Sequence, residues 1–183
     1  MLIKTYLFSG LLFFFGFKWM LALVHVIRHR DYTLQVSVLI LEVVAVLFGL
    51  AQLIFGIGVS GNVIASLRIL GLVLFTAGIA ITFISRIRLN DSYCPAAIKG
   101  EPKELVTSGL YCHVRHPIYF GAILFGLGFE SILSSPFVFV IFLSIPIFLR
   151  QINREEELLK KTFPCEWSKF VKRTPYKLIP FLF

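Results

Sequence analysis

Five apolar stretches, each close to the length that crosses a bilayer, dominate this chain. They run from Thr5 to Ile27, Val36 to Val59, Leu67 to Leu89, Pro117 to Leu133 and Pro136 to Ile152. A hydrocarbon core ~30 Å thick needs about 20 helical residues, and the last two stretches are on the short side. Within hydrocarbon each backbone N–H and C=O must find its partner inside the protein, which makes helices the solution for runs of this kind. Composition excludes a soluble alternative. Hydrophobic residues fill 57% of the 183 positions and charged residues only 15%, with 20 phenylalanines. Soluble domains carry about 25% charged residues, and a sphere this small cannot hide so much apolar side chain. The same figures exclude disorder, and three cysteines are too few for a disulfide-stapled scaffold. The sequence predicts an all-α polytopic membrane protein with five transmembrane helices in a single domain over 1–183. Three spans fill 1–89, and a loop, two further spans and a C-terminal segment fill 90–183. Ser134, Ser135 and Pro136 form a tight link that makes spans four and five a helical hairpin. A cytosolic C-terminal helix follows.

Charge sets the orientation. Eighteen Lys and Arg against ten Asp and Glu leave a net charge of +8. In a soluble protein such an excess would suggest nucleic acid, but in a membrane protein it is topogenic, so its distribution decides. With the N-terminus outside, fifteen basic residues fall in the inner loops at 28–35 and 86–116 and in the tail from 150 onward. Only Lys4 and Arg68 lie on the other side, and Lys18 sits within the first span. The positive-inside rule then predicts N-outside, C-cytosolic, and no nucleic-acid partner. The first apolar run exceeds a signal-peptide core, and no small-residue cleavage pattern follows it, so it reads as a retained span. Lys18 and Glu42 are opposite intramembrane charges at similar depth and are expected to pair. Glu130 reads as interfacial, and His25 and His29 as surface residues of the first inner loop. Cys94, Cys112 and Cys165 lack metal or redox spacing and read as unpaired thiols.

Nearly all residue types useful for chemistry lie in two cytosolic segments, 90–121 and 150–180. The first carries Leu105-Val106-Thr107-Ser108-Gly109-Leu110-Tyr111 and then Arg115-His116-Pro117-Ile118-Tyr119-Phe120-Gly121. Pro117 suits the first turn of span four, where its missing N–H costs nothing. Arg115 and His116 then sit at the membrane surface beside the positive end of a helix, where anions are favoured. A basic interface anchor with a tyrosine belt reads equally from these residues. Gly126 and Gly128 leave room for close helix approach. In the second segment Glu155, Glu156 and Glu157 are adjacent, in the most basic part of the chain. They suit either the solvated start of a helix or contacts to a cationic ligand or ribose diol.

The run at 105–121, Leu-Val-x-x-Gly-x-Tyr-x-x-x-Arg-His-Pro-x-Tyr-x-Gly, resembles the signature of isoprenylcysteine carboxyl methyltransferases. That wider group also contains the phospholipid N-methyltransferases. The resemblance continues through Glu155-Glu156-Glu157-Leu158-Leu159, Phe163, Glu166, Trp167, Arg173, Ile179 and Pro180, and so covers roughly 100–180. It implies S-adenosylmethionine as methyl donor, in a site closed by the last cytosolic loop and the C-terminal segment. By position, cofactor contacts would fall on Lys103, Glu104, Leu105, Val106, Tyr111, His116, Pro117, Ile118, Tyr119 and Glu155, with Glu156 as a possible second contact. Leu105 and Val106 would wall the adenine, Tyr111 and Tyr119 would enclose it, and Glu155 would hold a polar end. The family arginine that orients the substrate carboxylate falls at Gln151, and the nearest arginine is Arg150. The acceptor would be lipid-like or prenylated and enter from the bilayer. Methylation of a phospholipid amine or small thiol remains open. So do a membrane reductase of the sterol-reductase kind using NADPH, which shares a His-Pro-x-Tyr pattern, and a non-catalytic membrane adaptor.

Overall fold

The computed structural model describes the backbone of residues 2–28, 33–34, 36–59, 65–89, 98–99, 104–180 and 182. Side chains are described at 2–20, 42–59, 65–89, 104–180 and 182. Lys103 and Cys94, and the side chains of His25 and His29, lie outside these residues. Six helices are present among the described residues, and all but the last follow the apolar pattern closely. They are α1 (Leu2–Arg28), α2 (Val36–Phe55), α3 (Ala65–Leu89), α4 (Pro117–Leu133), α5 (Val138–Thr162) and α6 (Pro164–Arg173). Among the described residues the all-helical expectation holds except for one antiparallel pair of two-residue strands, β1 (Thr33–Leu34) and β2 (Ile98–Lys99). α5 runs ten residues past the apolar stretch that forms its first half, carrying the glutamates as a helical extension.

The chain divides into two compact units. The first comprises residues 1–59 and 94–101, with α1, α2 and the short strand pair. Here Lys18 pairs with Glu42, and Trp19 Nε1 donates to Glu42 Oε2 at 3.2 Å. The expected pairing of these charges is present, with an indole added to it.

The second unit, 60–93 and 102–183, holds α3 to α6 and the polar segments between them. α3 and α4 run antiparallel with their backbones in near contact. Gly71, Phe75, Gly78 and Thr82 face Gly121, Phe125, Gly128 and Ile132. A Cβ placed on Gly78 would lie 2.7 Å from the Gly121 carbonyl, and one on Gly128 2.7 Å from the Gly71 carbonyl. Phe75 and Phe125 fill the space between the glycines, stacked at 4.8 Å between centroids. Of the two glycines singled out in the sequence, Gly128 makes this approach, whereas Gly126 faces the side chain of Ile141 on α5. α4 ends at Ser134 in a left-handed conformation (φ 51°), and residues 134–137 lead into α5. α5 packs against α4 through Ile152 and Ile123, joined by Leu178 of the C-terminal segment, with Phe120, Leu127 and Ile145 around them. Glu130, near the end of α4, is buried within the protein. Pro164 opens α6 at a position where no N–H is required.

The remaining faces are apolar and exposed. On α3 they carry Ile69, Leu70, Leu72 and Val73, and on α5 Phe139, Phe142, Leu143 and Ile147. Continuous apolar stripes of this kind are incompatible with water and match a lipid environment. Among the described residues α3 is the helix long and apolar enough to cross a membrane by its own length. α4, at 17 residues, spans about 26 Å, short of the ~30 Å core.

Candidate functional site

The first sequence motif folds into two adjoining clusters. Gly109, at φ 66°, adopts a conformation that glycine reaches without steric cost, and it starts a 3-10 turn over Gly109–Cys112. That turn sends Tyr111 inward, where it is buried with Trp167 and Phe170 of α6. Its hydroxyl donates to the Ser85 carbonyl at 3.4 Å. Leu105 and Val106 pack against the same aromatic group, and Glu104 is exposed. Trp167 and Phe170 come together because positions three apart share one face of α6.

The second cluster forms where the start of α4 meets the extension of α5. Pro117 is the first residue of α4, as expected, and is fully buried, while Ile118 is half-buried. The Tyr119 hydroxyl donates to Glu155 Oε1, which also accepts from Gln151 Nε2 at 3.4 Å. His116 lies between two carboxylates, with Nε2 3.2 Å from Glu156 Oε1 and Nδ1 3.6 Å from Glu155 Oε2. Arg115 Nε donates to Glu156 Oε1 at 2.8 Å, and Lys177 Nζ reaches Glu156 Oε2 at 3.0 Å. The anion favoured beside Arg115 and His116 is thus supplied by the chain itself. Adjacent residues of a helix diverge by about 100°, so the three glutamates fan apart. Glu155 is 32% exposed, Glu156 15% exposed and within the ion cluster, and Glu157 is exposed.

Gln151 shares a face with Glu155 four residues on, whereas Arg150 is exposed. A regular α-helix cannot put both on that face. Sequence reasoning missed Lys177, Thr174 and Asn153. Lys177 counted only as one basic residue among fifteen, and its partners lie 21 and 24 positions away. The signal available was local: an acid in the most basic region must find cations.

Electrostatics follow from this packing. Burial would lower the His116 pKa, but its contacts with the Glu155 and Glu156 carboxylates and the charges of both outweigh it and raise the value above the usual 6.5. Burial would raise Glu156, yet hydrogen bonds from His116, Arg115 and Lys177 pull it down to about 2. His116 is therefore held in surroundings that favour its protonated form. Its groups in reach are Glu155 and Glu156 from α5, Tyr119 from α4, Arg115 beside it, and Lys177 bound to the same carboxylate. A raised histidine pKa stabilises fully below the unfolded value of 6.5, and this is lost as pH rises through the folded pKa. A depressed carboxylate pKa stabilises above 4.5 and loses this as pH falls towards about 2. The cluster is expected to be tightest between these limits, at pH 4.5–6.5. Thermal unfolding in detergent against pH checks this. His116→Gln should abolish the loss of stability above pH 6.5, and an unchanged alkaline limb would refute the assignment.

The isoprenylcysteine carboxyl methyltransferase family model matches residues 69–161, half of the chain, including both halves of this cluster except the tail. The chain belongs to this family. Membership is in line with the paired motifs. A protein-S-isoprenylcysteine O-methyltransferase of Arabidopsis thaliana is 26% identical over 93% of this chain and 90% of its own length. The Mus musculus protein-S-isoprenylcysteine O-methyltransferase is 34% identical over 51% of this chain and 33% of its own length. A Δ14-sterol reductase of Mus musculus is 29% identical over 44% of this chain and 20% of its own length. The chain thus spans nearly all of one of these relatives but a third or less of the other two.

Proposed function

We propose that this chain is an S-adenosylmethionine-dependent membrane methyltransferase acting on the carboxylate of a lipid-like or prenylated acceptor. The observation that carries the reading is the part-exposed Glu155 carboxylate, gathered by Tyr119, Gln151 and His116 in a chain of this family. Its donor set fits the cofactor: one accessible carboxylate oxygen for an ammonium or ribose diol, beside the Tyr119 and Phe148 rings, 5.5 Å apart. The cofactor supplies an electrophilic methyl group on a sulfonium. His116, Pro117, Ile118, Tyr119 and Glu155 form the near wall of this site. Lys103, Glu104, Leu105, Val106 and Tyr111 are proposed for the adenine side, with Glu156 behind Glu155. Gln151, on the Glu155 face, is proposed over Arg150 to orient the acceptor.

The chemistry asks little of a base. An α-carboxylate has a pKa of about 3.5 and is already ionised near neutral pH. The residues need only align the carboxylate oxygen with the reacting carbon and exclude water, which would blunt the nucleophile. An amine acceptor would first have to lose a proton to a base, a step the carboxylate does not need. Five spans, an outside N-terminus, a cytosolic C-terminus and one domain over the whole chain complete the proposal. The fifteen basic residues on one side support that orientation.

The reductase relative keeps a second reading in view, because its match includes an enzyme of a different class. The part-exposed Glu155 carboxylate is the group left for a ligand, and it opposes one rich in phosphate. Calorimetric titration of the purified chain with S-adenosylhomocysteine and, separately, NADPH decides between them. Heat is expected from the first alone, and heat from NADPH alone would overturn the methyltransferase reading.

A further inference from the structure

The segment after α6 has no regular secondary structure, yet it is stitched to the start of α4. Arg115 N donates to the Tyr176 carbonyl at 3.0 Å and His116 N to the Lys177 carbonyl at 3.1 Å. Arg115 Nη1 donates to the carbonyls of Thr174 and Pro175 at 2.9 and 2.7 Å. Thr174 Oγ1 donates to the Cys112 carbonyl at 3.2 Å. Lys177 Nζ bridges Glu156 and, at 2.9 Å, Asn153 Oδ1 of α5. Leu178 is buried beside Ile123 and Ile152. The two side chains that hold the segment, Arg115 and Lys177, meet on one carboxylate, that of Glu156. Its two oxygens offer about four acceptor positions, and Arg115, His116 and Lys177 occupy three of them.

We propose that Glu156, Arg115 and Lys177 are positioning residues: they clamp the 174–179 segment onto the start of α4 and fix the His116 ring against Glu155, and so set cofactor affinity. The proposal rests on the methyltransferase reading for what the site binds. Glu156 acts through its neighbours, whereas Glu155, twice as exposed, remains for the ligand. Arg115 is suited to this task by its planar fork, whose Nε and Nη1 reach a carboxylate and two carbonyls at once. Lys177 contributes a point charge, which another cation can replace. With Glu156 neutral, Arg115 and Lys177 would lose the charge they share.

The test uses the purified full chain in detergent and four variants: Lys177→Met, Lys177→Arg, Glu156→Gln, and the Lys177→Met/Glu156→Gln pair. S-adenosylhomocysteine affinity comes from calorimetry. Closure of the segment is read by hydrogen exchange at the Arg115 and His116 amides, which the segment's carbonyls protect. Lys177→Met is expected to weaken affinity about tenfold, the loss of one charge-assisted hydrogen bond, and to speed exchange at both amides. Lys177→Arg should restore both. The double variant should be no weaker than Glu156→Gln, because both act through one clamp. At saturating donor, kcat should fall less than KM rises. Faster exchange with unchanged affinity, unchanged exchange, or additive losses in the double variant would each overturn the proposal. Should Glu156→Gln not fold, the two Lys177 variants alone decide. If the unaltered chain binds no S-adenosylhomocysteine, the methyltransferase reading fails, and the exchange rates still judge the clamp by itself.

Discussion

Exchanging Glu155 for alanine is expected to weaken S-adenosylhomocysteine binding by about 10- to 100-fold while leaving the chain folded, the range for losing a hydrogen bond to a charged group. The two neighbouring glutamates differ in kind. Glu156 is enclosed by Arg115, His116 and Lys177, and removing it strips these three of a partner. Glu155 has one oxygen engaged by Tyr119 and Gln151, while the other faces His116 Nδ1 at 3.6 Å, beyond a good hydrogen bond. That second oxygen has capacity for a ligand, so its loss should be felt in binding rather than in stability. Tyr119→Phe removes the hydroxyl that orients Glu155 and should give a smaller loss, about tenfold. Calorimetry for affinity, with thermal unfolding in parallel, checks both. Affinity within twofold of the unaltered chain for Glu155→Ala would remove that residue from the site. An equal fall in melting temperature would instead make it a structural partner of His116.

The five helical segments were legible because their apolar runs are long and their breaks are sharp. Pro117, Ser134-Ser135-Pro136 and Pro164 each fall where a helix begins or a link turns. The end of α5 was not legible from hydropathy, since a helix that leaves the membrane continues on charged residues with no apolar signal. Pairing of Lys18 with Glu42 was legible because a lone charge in hydrocarbon is so costly that a partner at similar depth is nearly required. The site was legible in its residues and less so in its grouping. Both motifs meet around Glu155, but Tyr111 turns to Ser85 and the α6 aromatics, away from the ion cluster. Spacing along the chain does not encode which way a turn sends a side chain. Gly109 decides it, through a positive φ that only the folded backbone displays. The tail's role was hidden for a similar reason: Lys177 is one of many basic residues until α5 brings Glu156 beneath it.

Gly78→Ala is expected to destabilise the chain by about 3 kcal/mol, although alanine normally favours a helix over glycine by about 1 kcal/mol. The added carbon would meet the Phe125 backbone nitrogen and the Gly121 carbonyl, both part of the facing helix and unable to move alone. Helices in lipid gain nothing from hiding apolar surface, since lipid tails are equally apolar, so close backbone packing must hold them together. α3 and α4 realise that packing through Gly71, Gly78, Gly121 and Gly128, repeated at intervals of seven. Gly126→Ala supplies the contrast. Its new carbon would lie 2.8 Å from Ile141 Cδ1, the free end of a flexible side chain that can rotate away. This second variant should be neutral or slightly stabilising, so the two alanines are expected to differ in sign. Because α4 carries His116 at one end, loosening it from α3 should also cost donor binding, but only in proportion to the fraction unfolded. Chemical unfolding in detergent, with binding measured at several temperatures, separates these effects. Similar stability for the two variants would mean that the α3–α4 glycines are not what joins these helices.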